Sequence, residues 1–309
     1  MSTEDTSSQF EDIRNKFGRF RILIVGRANT GKMTILQKIC NTTESPEIYD
    51  GKGNKIDPSQ VEGSMGRGIH NIENELIFRS NDKFIFHDSQ GFEGGKKDEF
   101  LRMVKFVADR AKTTHLEKRL HAIWYCISMD RIERAIQRSE EMFFEECDPN
   151  NVPVVVLFTK FDALRVKAMV KLAPADRRLA LQEGLSKIQP LMEEIFNGAD
   201  VWGRLSKMAY PPKSSVRLEN IHKANEGCNI LIENTALVLN DEALQMLFVS
   251  AQETNIALCV KFAAQRLISD MDGMYNTMHP TGEELQIHKL ACWFPHIQRV
   301  SYGFWHVGY

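Results

Sequence analysis

The feature that most constrains the fold is the heptapeptide Gly26-Arg-Ala-Asn-Thr-Gly31-Lys32, which begins at the end of the apolar run Phe20-Arg-Ile-Leu-Ile-Val-Gly26. This run is too short for a helix and is rich in β-branched residues, so it predicts a buried strand. The stretch from Gly31 to Cys40 has apolar residues at helical spacing and predicts a helix. A G-x-x-x-x-G-K sequence between a strand and a helix is typical of a phosphate-binding loop, because its glycines let backbone N–H groups surround phosphate oxygens at the helix N-terminus.

The end of this loop departs from the usual pattern at one position. Lys32 is expected to bridge the terminal phosphates, and the next residue normally supplies a hydroxyl ligand to Mg²⁺. Here it is Met33, whose thioether is a soft ligand poorly matched to a hard cation. Thr34 lies a rotation of about 100° further along a helix, so it does not simply replace that ligand, which leaves open whether Mg²⁺ is bound. The predicted phosphate-binding residues of this segment are Gly26, Arg27, Ala28, Asn29, Thr30, Gly31, Lys32, Met33 and Thr34.

A second motif, Asp88-Ser-Gln-Gly91, ends the apolar segment Lys83-Phe-Ile-Phe-His-Asp88. In a nucleotide site Asp88 would hold magnesium, usually through water, and Gly91 would offer its backbone N–H to the γ-phosphate. The residues that follow, Phe92-Glu-Gly94-Gly95, make a flexible hinge suited to a switch segment.

A base-recognition motif, Thr159-Lys160-Phe161-Asp162, follows the apolar run from Val154 to Phe158. A carboxylate here accepts two hydrogen bonds from guanine N1 and N2, whereas adenine presents an acceptor at N1. The aliphatic stem of Lys160 is expected to pack over the base. The predicted guanine-binding residues are Thr159, Lys160 and Asp162, with Ser250 and Ala251 added from the tripeptide after a predicted strand, Gln245 to Val249.

Strand and helix patterns alternate along the rest of the chain. The predicted elements are an antiparallel hairpin of Asn74–Arg79 and Lys83–Asp88, helices over Asp98–Thr114 and Arg131–Cys147, strands over Ala122–Ile127 and Val154–Phe158, and a long loop over Glu44–Gly68. Such alternation predicts an α/β fold of three layers, with a mostly parallel central sheet covered on both faces.

Composition excludes several classes of protein. The chain of 309 residues has 39 Lys and Arg against 41 Asp and Glu, so it lacks the basic excess of a general nucleic-acid binder. No apolar stretch reaches the roughly 18 residues of a transmembrane helix, and the polar N-terminus lacks the apolar run of a secretory signal. The six cysteines, none at C-x-x-C spacing, are expected to be reduced thiols of a cytoplasmic protein.

Taken together, the four motifs resemble the G1, G3, G4 and G5 motifs of the translation-factor-class (TRAFAC) P-loop GTPases, which include septin-like and immunity-associated families. Arg67-Gly-Ile-His70, with Asp-Ser-Gln-Gly-Phe92, is similar to segments of fungal G-domain proteins related to those families. The resemblance implies that GTP or GDP is bound by residues 26–34 and that Asp162 selects guanine. It also implies a switch threonine as a second Mg²⁺ ligand. No Thr occurs from Glu44 to Asp88, and Ser64 is the best substitute.

The resemblance covers roughly residues 20–268 and implies a domain organisation. A disordered tail is expected over residues 1–18, a G domain over 19–268 and a C-terminal extension over 269–309, with a helical insertion at about 165–244 before the last strand. The switch loops would be Glu44 to His70 and Gly91 to Lys97. A homodimer or a protein effector would contact these loops or the insertion.

Three functions stay open at this point. The first is a guanine-nucleotide switch whose in-line hydrolysis of GTP is slow without a partner, because Phe92 replaces the water-orienting glutamine of Ras-like members. The second is a pseudo-GTPase scaffold that binds nucleotide without turnover. The third, an ATP-using P-loop enzyme, is disfavoured by the base-recognition motif.

Overall fold

A computed structural model describes residues 18–57, 71–89, 97–172, 188–223, 227–252 and 259–265 of the chain. The chain divides into two compact units. The larger comprises Arg21–Thr114 and Lys118–Val238, and the other comprises Met1–Phe20, His115–Glu117 and Leu239–Tyr309. The predicted C-terminal extension, and the predicted tail except for Gly18, lie outside the described residues.

Among the described residues, eight strands form one sheet. They are β1 (Phe20–Gly26), β2 (Glu47–Tyr49), β3 (Lys55–Ile56), β4 (Glu75–Phe78), β5 (Asn81–Asp88), β6 (Ala122–Ser128), β7 (Val154–Thr159) and β8 (Ser214–Arg217). Their order across the sheet is β3-β2-β4-β5-β1-β6-β7-β8. Strands β1, β6, β7 and β8 pair in parallel, whereas β3, β2, β4 and β5 pair antiparallel.

The register of the parallel strands brings their carboxyl ends to one edge of the sheet. Gly26 of β1 pairs with Cys126 of β6, and Ser128 of β6 pairs with Thr159 of β7. At the next pair, Phe158 lies beside Arg217 of β8. The segments that follow these strands, including both motif-bearing loops, therefore leave the sheet at the same edge.

Helices cover both faces of this sheet. They are α1 (Lys32–Ile39), α2 (Lys97–Lys112), α3 (Arg138–Glu146), α4 (Leu164–Lys171), α5 (Ile188–Gly198), α6 (Val201–Leu205) and α7 (Asn229–Val238), with 3-10 turns at Leu116–Lys118, Met129–Arg134 and Phe161–Ala163. On one face, Val25, Tyr125 and Phe158 share a buried core with residues of α2 to α6. On the other, the Trp124 indole N–H donates to Thr235 Oγ1 of α7 at 3.0 Å. The predicted α/β class is therefore confirmed.

A buried polar network lies near the amino end of β1. The Arg21 guanidinium donates from Nη1 to Glu75 Oε1 and to His87 Nε2, both at 2.7 Å, and the Arg21 backbone N–H donates to His121 Nδ1 at 3.0 Å. Because a guanidinium only donates, His87 Nε2 is an acceptor, and its Nδ1 donates to the Ile72 carbonyl at 2.9 Å. Burial and the Arg21 charge lower the pKa of both imidazoles to about 3.

The predicted strand over Gln245–Val249 is wrong, since these residues belong to helix α8 (Glu242–Ser250) of the smaller unit. Asp241 caps this helix, because its carboxylate accepts a hydrogen bond from Leu244 N at 3.1 Å. A short apolar run does not by itself distinguish a strand from a buried turn of helix. In the same unit, residues 259–265 are also helical.

The last parallel strand is β8, which lies inside the region predicted as a helical insertion over 165–244. Helices α4, α5 and α6 precede it in that region and form part of the crossover from β7. The sequence did not predict this strand, because it has only four residues, Ser-Ser-Val-Arg, and a single buried apolar side chain, that of Val216.

Two other predicted elements are divided differently. The helix predicted over Arg131–Cys147 is split into the 3-10 turn Met129–Arg134 and α3, and Arg131 has non-helical dihedral angles. The loop predicted over Glu44–Gly68 includes the short strands β2 and β3. Within the described residues, none of the helices combines the length and apolar character needed to cross a membrane.

Candidate functional site

The loop after β1 has a backbone that only glycine permits at its first position. Gly26 has φ +151°, and a Cβ built on it would lie 2.7 Å from the Cys126 carbonyl oxygen and 2.9 Å from Thr30 Oγ1. Gly31, the N-cap of α1, has φ +85°, but the atom nearest to such a Cβ would be Ile221 Cδ1 at 3.8 Å. The first glycine is therefore required by packing and conformation together, and the second by conformation alone.

Lys32 is turned back onto its own loop. Its Nζ donates to the Gly26 carbonyl at 2.8 Å and to the Arg27 carbonyl at 3.3 Å. The same Nζ lies 3.7 Å from Asp88 Oδ1 at the end of β5. Lys32, the predicted phosphate-binding cation, and Asp88, the predicted metal-binding carboxylate, therefore lie close together at the carboxyl edge of the sheet.

The middle of the loop is held by backbone and hydroxyl contacts. Thr30 Oγ1 donates to the Arg27 carbonyl at 2.9 Å, and the Thr30 side chain is buried. Ala28 and Asn29 are exposed, and Asn29 has φ +60°. The loop therefore presents its backbone at the surface while the ends are fixed against β1 and α1.

The predicted metal ligands are only partly described. Met33 exposes 41% of its surface at the start of α1, and Thr34 beside it is half-buried. Ser64 and Gly91, predicted as switch and phosphate contacts, lie outside the described residues, as does Phe92. The two predicted metal ligands are Asp88 and Ser64, and of these Asp88 lies within the described residues.

The base-recognition motif lies at the end of β7. Thr159 is buried, and Lys160 takes a left-handed conformation with φ +51° that begins the 3-10 turn Phe161–Ala163. Lys160 Nζ reaches Asp130 Oδ2 at 3.3 Å. The half-buried Asp162 follows on the same turn, which places its carboxylate directly beyond the strand.

A residue that sequence reasoning missed fixes this carboxylate. The backbone N–H of Asn220, two residues after the Leu218 that follows β8, donates to Asp162 Oδ1 at 2.9 Å. The Leu218 carbonyl accepts a hydrogen bond from Phe161 N at 3.0 Å. Because Asp162 keeps most of its acceptor sites, the contact orients the carboxylate without exhausting it. The sequence contains one sign of the new strand, since Tyr210-Pro-Pro-Lys213 directly precedes β8, but nothing in it singles out Asn220.

Ser250 and Ala251 lie at the end of a helix and not after the predicted strand. Ser250 is the last residue of α8, and its Oγ donates to the Leu247 carbonyl of the same helix at 3.0 Å. Both residues belong to the smaller unit, whereas the other described motif residues belong to the larger one. The segment that follows the last parallel strand is instead Leu218 to Asn220.

Comparison with models of known protein families gives no match, and comparison with curated proteins gives none either. A functional assignment therefore rests on the geometry of the site.

Proposed function

We propose that the chain is a guanine-nucleotide-binding switch protein of the P-loop GTPase type. The observation that carries the proposal is the shared carboxyl edge of β1, β7 and β8. There the phosphate loop with Lys32 follows β1, and the Asp162 carboxylate follows β7, held by the segment after β8. A phosphate binder and a guanine acceptor on one edge suit a nucleotide that spans it.

The phosphate end would bind by exchange of partners. Lys32 Nζ donates to two carbonyl oxygens of its own loop. Phosphate oxygens would take over these hydrogen bonds, and the loop N–H groups with the start of α1 would add further donors. Contact with a phosphate dianion favours the exchange, since hydrogen bonds to charged acceptors are stronger than those to carbonyls.

The base end would select by hydrogen bonding. The Asp162 carboxylate can accept hydrogen bonds from the two donors at N1 and N2 of guanine. Adenine N1 is itself an acceptor, so its lone pair would face the carboxylate oxygens without a hydrogen bond. A site built to satisfy donors rejects an analogue that lacks them by large factors, because the buried acceptors are left unpaired. GTP and GDP are therefore the proposed ligands, ahead of ATP.

The described residues supply only part of the set of ligands expected for Mg²⁺. Asp88 offers a carboxylate, but Met33 offers a thioether where a hydroxyl is expected. Among the described residues, no group of three His, Cys, Asp or Glu side chains is arranged to hold a metal ion. The exposed Met33 thus favours a second candidate, a pseudo-GTPase that binds nucleotide without turnover. For the switch protein, in-line hydrolysis would be slow, since the water-orienting glutamine is replaced by Phe92.

The test is an equilibrium titration of the protein with fluorescent GDP and GTP analogues, competed by ATP. We expect tight binding of both guanine nucleotides and no competition by excess ATP. Asp162→Asn should weaken GDP and gain affinity for xanthosine diphosphate, because the amide donor faces the xanthine carbonyl. Asp50→Asn, in the turn between β2 and β3, is the matched control and should change neither affinity. Absence of GDP binding, or equal competition by ATP, would contradict the proposal.

A metal test separates the two candidates. Titrations with Mg²⁺ and with EDTA compare the wild type, Met33→Ser and Met33→Ala. For a switch protein we expect binding that EDTA weakens, with Met33→Ser gaining about tenfold in Mg²⁺-dependent affinity over Met33→Ala. Binding that EDTA leaves unchanged in all three proteins would favour the pseudo-GTPase.

A further inference from the structure

Arg27, the second residue of the phosphate loop, directs its side chain into the segment that follows β6. Its Nη2 donates to the carbonyl oxygens of Arg134 and Ala135, each at 3.1 Å. Its Nε lies 3.2 Å from Glu140 Oε1, an ion pair. The guanidinium therefore ties the loop to residues more than a hundred positions further along the chain.

The partner of this arginine is buried. Glu140 has no exposed side-chain surface and lies in the first turn of α3. Its Oε2 accepts hydrogen bonds from Gln137 N at 2.8 Å and from Ser139 Oγ at 3.1 Å. Burial raises the pKa of Glu140, and the Arg27 charge opposes that shift. The cap uses only Oε2 of Glu140, so it does not account for the contact of Oε1 with Arg27.

The backbone of Arg27 is where the loop's own contacts converge. Its carbonyl oxygen accepts from Thr30 Oγ1 at 2.9 Å, from Thr30 N at 3.4 Å and from Lys32 Nζ at 3.3 Å. A side chain fixed at Glu140 therefore fixes the residue to which Thr30 and Lys32 are bonded. The shape of the loop is set partly from outside the loop.

The same segment contacts the base-recognition motif. Asp130, in the 3-10 turn Met129–Arg134, forms an ion pair with Lys160 at 3.3 Å. The carbonyl oxygens of Arg134 and Ala135 accept hydrogen bonds from Arg27. One stretch of chain thus supports both ends of the proposed nucleotide site.

We infer that Glu140 is a positioning residue of the phosphate loop: through Arg27 it holds the loop ready for the β-phosphate of a nucleoside diphosphate. The inference rests on the proposed function and goes beyond it, because Glu140 lies in α3 and belongs to none of the nucleotide motifs. Glu140 would touch no ligand atom. Its effect should appear where the loop meets the β-phosphate and be absent at the base.

The experiment measures the affinities of GDP and GMP, and their ratio, for the full chain. Glu140→Gln removes the charge and keeps an acceptor for Gln137 N. We expect it to lower the GDP affinity about tenfold and to leave the GMP affinity within twofold. Because removing the charge of one partner from a largely buried ion pair can destabilise the fold, a second variant combines Arg27→Met with Glu140→Met. Replacement of a buried ion pair by apolar residues is often neutral for stability, and the same fall in the ratio is expected.

Glu75→Gln is the matched control, since Glu75 pairs with Arg21, the buried arginine at the amino end of β1. It should reduce stability and leave the GDP-to-GMP ratio unchanged. An unchanged ratio in both Glu140 variants, or an equal fall in Glu75→Gln, would overturn the inference and leave the proposed function standing. A wild type that does not bind GDP would overturn both.

Discussion

An arginine lies at each end of β1, the buried Arg21 in the strand and the partly buried Arg27 directly after it, and the contacts around the two ends differ in kind. At the amino end, Arg21 reaches Glu75, His87 and His121, which are 54, 66 and 100 residues away along the chain. At the carboxyl end, the loop's own hydrogen bonds join Lys32 and Thr30 to carbonyls three to six residues away.

This difference distinguishes a cluster that supports the fold from the proposed binding site. Contacts between distant strands cannot be exchanged without separating those strands, so the amino end serves stability. Contacts within one loop can be handed to a ligand while the sheet stays intact. Arg27 is the exception at the carboxyl end, because it joins the exchangeable loop to the fixed fold.

The largest expected effect is that of Gly26→Ala, which alters both the fold and the loop at once. The added Cβ would overlap the Cys126 carbonyl and force a strained φ. We expect the free energy of unfolding to fall by about 3 kcal/mol and GDP binding to be lost. Chemical denaturation and GDP titration measure both. Gly198→Ala in α5, where no atom lies within 4 Å of the added Cβ, is the control and should cost no stability. A Gly26→Ala protein with normal GDP affinity would contradict the assignment of nucleotide binding to the carboxyl end of β1.

Lys32→Met sharpens the comparison, because it removes a charge whose contacts are all at the loop end. Hydrogen bonds to charged groups contribute about 1.5–3 kcal/mol, so we expect GDP affinity to fall between ten- and a hundredfold. The free energy of unfolding should fall by about 1 kcal/mol, the net contribution of a typical intramolecular hydrogen bond, and therefore by less than in Gly26→Ala. Calorimetric titration and denaturation report the two quantities. Lys38→Met in the same helix is the control, since Lys38 bonds to the Lys223 carbonyl instead. A large loss of stability in Lys32→Met would mean that the loop end is also structural.

The smallest effect is expected at the amino end and depends on pH. Burial, followed by the Arg21 charge, lowers the pKa of His121 from 6.5 to about 3. The unfolded chain therefore takes up a proton below pH 6.5 that the folded chain refuses, so stability is complete above that pH and falls as the pH drops towards 3. At pH 5 this amounts to about 2 kcal/mol for one histidine.

His121→Asn should therefore reduce the loss of unfolding free energy between pH 7 and pH 5 by about 2 kcal/mol, with GDP affinity at pH 7 unchanged. His115→Asn, at an exposed histidine, is the control and should keep the wild-type pH dependence. Denaturant titrations at the two pH values give both results. An unchanged pH dependence in His121→Asn would show that this end of β1 is not a source of acid sensitivity.

The elements that the sequence predicted well are those with a local signal. The apolar run of β1, the two glycines of the loop and the hairpin of β4 and β5 each require only neighbouring residues to be recognised. Lys32 and Asp88 were each predicted from a local motif, and the fold brings their side chains to 3.7 Å from each other.

The roles of Asn220 and Glu140 could not be predicted in the same way. Asn220 acts through its backbone N–H, which every non-proline residue possesses, so its residue type carries no signal. Glu140 reads as an ordinary first-turn acid of a helix, and only the fold shows that it is buried against Arg27. The apolar stretch of α8 misled for a related reason, because burial on both sides removes the periodicity that separates helix from strand.

The pairing of Gly26 with Cys126 has a consequence for the order in which the protein is made. The phosphate loop is among the first described segments to leave the ribosome, yet the carbonyl that packs against its first glycine belongs to a residue 100 positions later. At synthesis rates of about 5–20 residues per second, roughly 5–20 seconds pass between the translation of Gly26 and the translation of Cys126. The loop is thus translated early and completed late, and a nascent chain that ends before β6 would carry the whole loop sequence without the surface that shapes it.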